Sequence, residues 1–232
     1  MLNVSRLSCV WSVLFCLLAT LGAPSAAKAQ SPALAKQLNR IDFSVNGIGV
    51  FNGTGSGTPK SGPVDQNGDP LTVNLRTGNT LGALVTVRYI RSPLVGFEGN
   101  YTYARYTETF TPFGSPDTGG LSKAGVQTNA SEYTLGYVAH TPKLLNVQPF
   151  LAAGLGSIAF RPTTFGGQSL REQARAAYYY SVGVEDALSP HFGLRAQFRQ
   201  VFFLAPDFGQ NYLTILHHTS TLEPGVGFYI RF

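Results

Sequence analysis

Between residues 40 and 232 hydrophobic and polar positions alternate with a period of two. The last twelve residues, TLEPGVGFYIRF, show it plainly. Leu222, Val226, Phe228, Ile230 and Phe232 fall on every second position with Pro224 in the same register, while Glu223, Gly225, Gly227, Tyr229 and Arg231 take the others. Such alternation places one oily and one polar face on a β-strand. Eight stretches carry it, near 41–51, 82–90, 95–108, 131–140, 147–160, 175–186, 192–202 and 221–232. Each is long enough for the roughly 9–11 tilted residues with which a strand crosses a bilayer.

The links between these stretches are of two kinds. RSPL (91–94), TPKLLN (141–146) and ALSPH (187–191) are short, proline-bearing turns. The other four, 52–81, 109–130, 161–174 and 203–220, are long and rich in Gly, Thr, Pro, Asp and Asn. Short and long links follow one another strictly, so all turns fall at one end of an up-and-down sheet and all loops at the other. Outer-membrane barrels have this asymmetry, with short periplasmic turns and longer external loops.

One face of the predicted strands collects Phe43, Val45, Val85, Val87, Phe97, Tyr101, Leu135, Leu151, Leu155, Val182, Leu194, Phe198, Phe228 and Ile230. It carries almost no charge, with Arg105 and Asp186 as exceptions near strand ends. The opposite face holds the acids Asp42, Glu98, Glu132, Glu185 and Glu223 and the guanidiniums of Arg88, Arg195, Arg199 and Arg231. A buried unpaired charge costs several kcal/mol, so five acids facing four arginines argues for mutual pairing. Eight strands close into a cylinder whose inward side chains just fill it. A charged filling puts the oily face outside, against lipid. The expected fold is therefore an all-β, eight-stranded antiparallel transmembrane barrel, with residues 40–232 as its domain and 30–39 as a segment before it.

Composition agrees with that allocation. Only 12% of residues are charged, about half the usual share of a soluble domain, and mean hydropathy is near zero at +0.04. At the N-terminus, Arg6 precedes the apolar run VWSVLFCLLATLGA (10–23), then Pro24 and the A-x-A site Ala27-Lys28-Ala29. Residues 1–29 read as a secretory signal peptide, too short for a membrane span. Both cysteines, Cys9 and Cys16, leave with it, which excludes a disulfide scaffold or thiolate metal site in the mature chain. Arg6 and Lys28 leave too, taking the 17 basic residues to 15 against 12 acidic ones, a formal charge of +3. That excess is scattered, so nucleic acid is not an expected partner.

The leader, the eight alternating strands and the aromatic ending GVGFYIRF together resemble the small outer-membrane barrel family around OmpA, OmpX and the opacity proteins. QPFLAAGLGSIAFRP (148–162) and VGVEDALSPHFGLRAQFR (182–199) look most like its strands. The resemblance implies location in the cell outer membrane, no cofactor, and contact with outer-membrane lipid and lipopolysaccharide. It further implies that the barrel-assembly machinery recognises Phe228, Ile230 and Phe232.

Other motifs carry less. Gly154-Leu-Gly156-Ser-Ile-Ala159 has the spacing of a dinucleotide fingerprint, but Pro162 follows where a helix is needed. His217-His218-Thr219-Ser220 offers a His-x-Ser pair, as in lipid-A deacylases, yet Glu223 falls on the opposite face from Ser220. Consecutive strand histidines point apart and make a poor metal site. Lys60, Arg105, Lys123, Arg161 and Arg171 lie near the expected external leaflet, where lipopolysaccharide phosphates are candidate partners. APDFGQNYL (205–213) is a semi-apolar loop suited either to docking a partner or to folding over the barrel mouth. A non-enzymatic surface or envelope role through the external loops fits best. A small porin and a lipid-A-modifying barrel enzyme are the alternatives.

Overall fold

The computed structural model describes residues 37–232 apart from 60, 62–63, 65–66, 93, 114–121 and 145–146. The expected signal peptide, most of the segment before the barrel, and Lys60 lie outside the described residues. Ten strands follow in order: β1 (Ile41–Asn52), β2 (Thr54–Gly57), β3 (Val73–Thr77), β4 (Thr80–Ile90), β5 (Val95–Phe113), β6 (Ser122–His140), β7 (Val147–Pro162), β8 (Gln173–Ala187), β9 (Phe192–Leu204) and β10 (His218–Arg231). Around the cylinder the wall runs β1, β4, β5, β6, β7, β8, β9 and β10, and β10 returns to β1, every pair antiparallel. The closing seam pairs Phe43 with Ile230 and Val45 with Phe228. Closure matters because an open strand edge finds no hydrogen-bond partner in hydrocarbon.

The alternation resolves as an inside-out barrel. Phe43, Val87, Phe97, Leu135, Leu151, Leu155, Leu194, Val226, Phe228 and Ile230 are exposed, Leu135 to 75%. Asp42, Arg88, Glu98, Glu132, Glu185, Arg195, Arg199 and Glu223 are buried inside. Aromatic pairs tie neighbouring strands together on the outer face: Phe97 with Tyr137 (ring centroids 4.7 Å apart), Tyr101 with Tyr133 (5.1 Å) and Tyr178 stacked on Phe202 (5.0 Å).

Two segments expected to be loops carry further strand. The stretch 52–81 contains the hairpin of β2 and β3, and most of the described residues of 109–130 belong to extensions of β5 and β6. β3 pairs with the upper part of β5, from Asn74 against Thr111 to Thr77 against Glu108, above the point where β4 stops. The reason these strands escaped the hydrophobic pattern is a change of solvent. At 19 residues, β5 has a contour of about 63 Å, or about 48 Å along the barrel axis at a 40° tilt, against about 30 Å of hydrocarbon. Its outward residues accordingly change from Phe97, Tyr101 and Tyr103 to Arg105, Thr107 and Thr109. Its inward ones change from Glu98, Asn100 and Thr102 to Ala104, Tyr106 and Phe110. Below the switch the barrel is oily outside and polar inside; above it the order is that of a soluble protein.

A substitution on the belt distinguishes this arrangement from a soluble barrel. Leu135→Arg is expected to lower unfolding stability in lipid vesicles by about 2–4 kcal/mol, the cost of a cation near the bilayer midplane. Urea unfolding followed by tyrosine fluorescence measures it. No loss, as expected for an exposed leucine in water, contradicts the lipid-facing assignment.

Candidate functional site

Strand register decides which charges meet in the lumen. Arg88 and Glu98 are cross-strand neighbours on β4 and β5, as are Glu185 and Arg195 on β8 and β9, and Arg199 and Glu223 on β9 and β10. Asp42 lies between Arg88 and Arg231 on β1. The face of one strand thus fixes half of each pair, and curvature of the wall brings the rest across.

The layer nearer the short turns is built on two guanidiniums. Arg88 donates to Glu98 through Nε (3.1 Å) and Nη2 (2.7 Å), reaches across the lumen to Glu185 with Nη1, and lies with its guanidinium 4.5 Å from the centroid of the Phe150 ring. Arg195 donates to Glu185 (3.0 Å), the Ser44 hydroxyl (2.7 Å) and Asp42 (2.8 Å). Arg231 stands at the rim, 3.6 Å from Asp42 and 3.8 Å from Glu185. His140 lies 3.3 Å from Arg88. Glu98 also accepts from the Tyr179 hydroxyl (2.7 Å) and the Asn100 amide (3.1 Å).

The middle layer hangs on Arg199 alone. It donates to Glu223 (2.6 Å), Glu132 and the Thr134 hydroxyl (3.1 Å), with the Tyr179 ring 4.3 Å beneath it. Arg88, Arg195 and Arg199 are each no more than 1% exposed. Desolvation on that scale is tolerated only because every guanidinium has carboxylate partners and an aromatic face.

Above Arg199 the lumen turns apolar, with Val50, Val201, Phe160, Phe203, Phe110 and Val126 buried. Glu108 sits in this layer, 1% exposed, with Oε2 lacking a hydrogen-bond partner. A carboxyl so placed is cheaper to hold as the neutral acid than as the anion. The segment 205–213 completes the layer by folding over the mouth: Ala205, Phe208 and Leu213 are buried. Of the two roles open to it from its sequence, the mouth cover is the one observed. Phe208 adopts a left-handed φ of 52°, a cost that burial of its ring offsets. Asp207 anchors the segment. It pairs with Arg175 (2.9 Å) and accepts from Gln173, the Gly209 N–H (3.0 Å) and the Thr214 hydroxyl (3.2 Å). Partial burial raises its carboxyl, but the hydrogen bonds from Gln173 and Gly209, with the charge of Arg175, outweigh that and hold it below the usual carboxylate range.

Other residues singled out in the sequence fall elsewhere. Phe228 and Ile230 face outward on β10, and the Phe232 N–H donates to the Ile41 carbonyl at 3.3 Å. Arg105 and Arg161 face outward above the belt, and Arg171 is exposed in the loop between β7 and β8. Lys123 lies on β6, its side chain outside the described residues. Ser220 accepts from the Gln200 amide at 3.3 Å, while Glu223 belongs to the Arg199 cluster. The Gly154 motif is strand. Sequence reasoning missed Glu108 and the apolar layer around it; Ser44, Asn100, Thr134 and Tyr179 stand on the polar face that the alternation predicts, but their bonds to the charges could not be read from it. The continued alternation of 104–110, with its sign reversed, was the available signal.

Two tests follow from this geometry. Arg199→Met strands Glu132 and Glu223 in the lumen and is expected to cost about 3–5 kcal/mol in unfolding experiments, whereas the triple variant with Glu132→Gln and Glu223→Gln recovers most of it. Equal losses in both contradict the pairing. For the mouth cover, the Asp207 carboxyl is depressed in the folded state, so its contribution is present above the ordinary pKa of about 4 and disappears as pH falls through the lower folded value. Hydrogen exchange of 205–213, corrected for intrinsic rates, should stay slow through pH 4 and rise below it, while Asp207→Asn removes that pH dependence. Opening at pH 5 or above contradicts the anchor.

Comparison with known proteins agrees with this architecture. A family model described as the outer membrane protein beta-barrel domain matches residues 13–223. Similar solved structures include OprG from Pseudomonas aeruginosa, 14% identical over 83% of this chain and 95% of that one, with a TM-score of 0.57. They also include Neisserial surface protein A, 17% identical over 82% and 97% with a TM-score of 0.46. The N-terminal barrel of Pseudomonas aeruginosa OprF is 12% identical over 82% and 97%, at 0.44. No curated protein matches by sequence. At such identities the likeness is one of fold. With the family model covering most of the chain and the wall closed on itself, the chain belongs to the outer membrane protein beta-barrel family and is an integral protein of the outer membrane.

Proposed function

We propose that this barrel is a non-enzymatic envelope protein, exported by residues 1–29, that works through its external loops and rim and does not conduct through its lumen. The observation that carries the reading is the filling of the lumen. Three buried guanidiniums, each bridging carboxylates from different strands, lie in series below an apolar layer covered by 205–213. A solute on the axis would have to break ion pairs whose separation in a dry interior costs several kcal/mol each.

The β7–β8 loop, by contrast, is firmly held and presents side chains outward. The β7–β8 loop docks back on β6: the Thr163 N–H donates to the Gln127 carbonyl (2.8 Å), and the Gln127 N–H to the Gly166 carbonyl (2.7 Å). Phe165 in that loop is fully exposed, and Leu216 is largely so. An aromatic held outward by an ordered loop suits a contact with a partner at the cell surface. A hydrolytic role finds less support, because Ser220 is engaged by Gln200 and Glu223 is committed to Arg199. Phe228, Ile230 and Phe232 serve in this reading as the assembly signal. Arg105, Arg161 and Arg171 face the phosphorylated lipid of the external leaflet in this reading, and Lys60 and Lys123 are further candidate contacts by their place in the sequence.

Planar-bilayer recording of the purified, folded barrel tests the reading. No steady single-channel current is expected in molar potassium chloride. Uniform, long-lived conductance steps overturn it in favour of a small porin.

A further inference from the structure

The outer face of β5, β6 and β7 carries a row whose members come from three strands. Arg105 on β5 is directly opposite Asn129 on β6, and Asn129 is directly opposite Arg161 on β7. Strands about 4.8 Å apart put the two arginine backbones about 10 Å from each other with the amide between them. All three side chains point outward one rung above Tyr103 and Ser131, where the oily belt ends. Each spends only part of its bonding capacity. Arg105 gives Nη2 to the Gln127 side chain (2.6 Å), Arg161 holds Glu172 through Nε at 3.3 Å, and the Asn129 oxygen accepts from the Tyr103 hydroxyl at 3.2 Å. The amide nitrogen of Asn129 and the remaining guanidinium nitrogens are left to meet a ligand. Arg161 and Glu172 are both more than half exposed, so their pairing is a weak competitor.

Below the row the same strands form a hollow. Gly99, where an added Cβ would meet only Leu135 at 3.4 Å, removes a side chain from the belt. Val85, Val87, Tyr101, Tyr133, Leu135 and their neighbours wall a depression of about 470 Å³ around it. Tyr101 is four residues below Arg105 on β5, about 13 Å along the strand. A cationic fork at headgroup level, above an apolar trough on the lipid-facing wall, has the polarity of one ligand class: an amphiphile with a phosphate head and an acyl chain.

We infer that this face binds one molecule of the phosphorylated glycolipid of the outer leaflet, with a phosphate on Arg105, Asn129 and Arg161 and an acyl chain in the Gly99 hollow. The inference rests on the reading that the long loops face the cell exterior. It deepens the rim contact proposed above by naming the strands, the phosphate donors and the chain seat.

Native mass spectrometry of the folded barrel in detergent tests it, with bisphosphorylated lipid A, phosphate-stripped lipid A and inorganic phosphate as separate probes. A one-to-one adduct with the phosphorylated lipid is expected, weakened about thirtyfold in the Arg105→Gln, Arg161→Gln double variant, at roughly a factor of five to six for each cation near a charged membrane surface. Gly99→Leu fills the hollow and is expected to weaken retention with the head site intact. Glu172→Gln removes a competing anion and strengthens it, a gain that loss of folding cannot mimic. Arg91→Gln, which removes one cation from a turn at the other end, leaves retention unchanged. A heat-modifiable gel shift confirms folding of every variant. Equal retention of stripped and phosphorylated lipid, equal retention by the double variant, or inorganic phosphate binding as tightly as the lipid overturns the inference. The outcome is independent of conductance: a barrel that conducts yet holds the lipid defeats only the closed-lumen reading, and a silent barrel without the lipid defeats only this one.

Discussion

A closed wall surrounded by hydrocarbon leaves the charges inside it no counter-charges except one another. Everything else in the molecule is arranged around that constraint. Arg88, Arg195 and Arg199 are each buried against carboxylates contributed by other strands, and each lies against an aromatic ring, Phe150, Tyr229 or Tyr179. Removing Arg199 leaves both Glu132 and Glu223 without a cation and removing Arg88 leaves Glu98 without one, whereas Glu185, shared by Arg88 and Arg195, keeps one of them. The pairs therefore specify register as much as they stabilise it. A strand slipped by one residue would turn its charges toward lipid, where they cost more than any packing gain returns.

The same backbone serves two solvents. Along β5 the inward side is polar through Thr102 and apolar from Ala104, while the outward side is aromatic through Tyr103 and polar from Arg105. β6 changes at the same height, from Leu135 and Tyr133 to Asn129 and Gln127 on its outer side. Above that level the barrel has an ordinary hydrophobic core built from Phe110, Phe160, Phe203 and Phe208, with the hairpin of β2 and β3 completing the wall. The rung at which the polarity reverses marks the external membrane surface, and the Arg105–Asn129–Arg161 row stands on it. The charged lumen below and the apolar cap above are two consequences of one boundary.

Most of the wall was legible in the sequence because period two is a strong signal wherever one side is uniformly oily. The eight wall strands and the two faces follow from that alternation, as do the eight charged residues buried below the apolar layer, with Arg231 at the rim beside them. The upper strands were not legible in the same way. At 104–110 and 125–130 the oily positions continue but exchange faces, and a lipid-facing stripe is lost there. β2 and β3 are short, glycine- and asparagine-bearing strands that owe their conformation to the exposed upper edge of β5. Which charges pair across the lumen also lay beyond the pattern. Neighbours such as Arg88 and Glu98 follow from register, but Arg88 with Glu185, or Arg199 with Glu132, depends on curvature. Gly99 and its hollow carried no sequence signal apart from being a glycine on the oily face.

An extracellular role through rim and loops suits a barrel whose interior is spent on holding itself together. The account stands or falls on where the oily face lies and where it ends. Spin labels placed singly at positions 97–111 of β5 in a lipid bilayer, scanned for collisions with oxygen and with a water-soluble nickel complex, measure both at once. Odd positions from 97 to 103 should be open to oxygen and closed to nickel, with nickel access appearing from 105 onward and even positions shielded from both. Nickel access at 97–103, or strong access at the even positions, would place water where lipid is required and contradict the inside-out barrel.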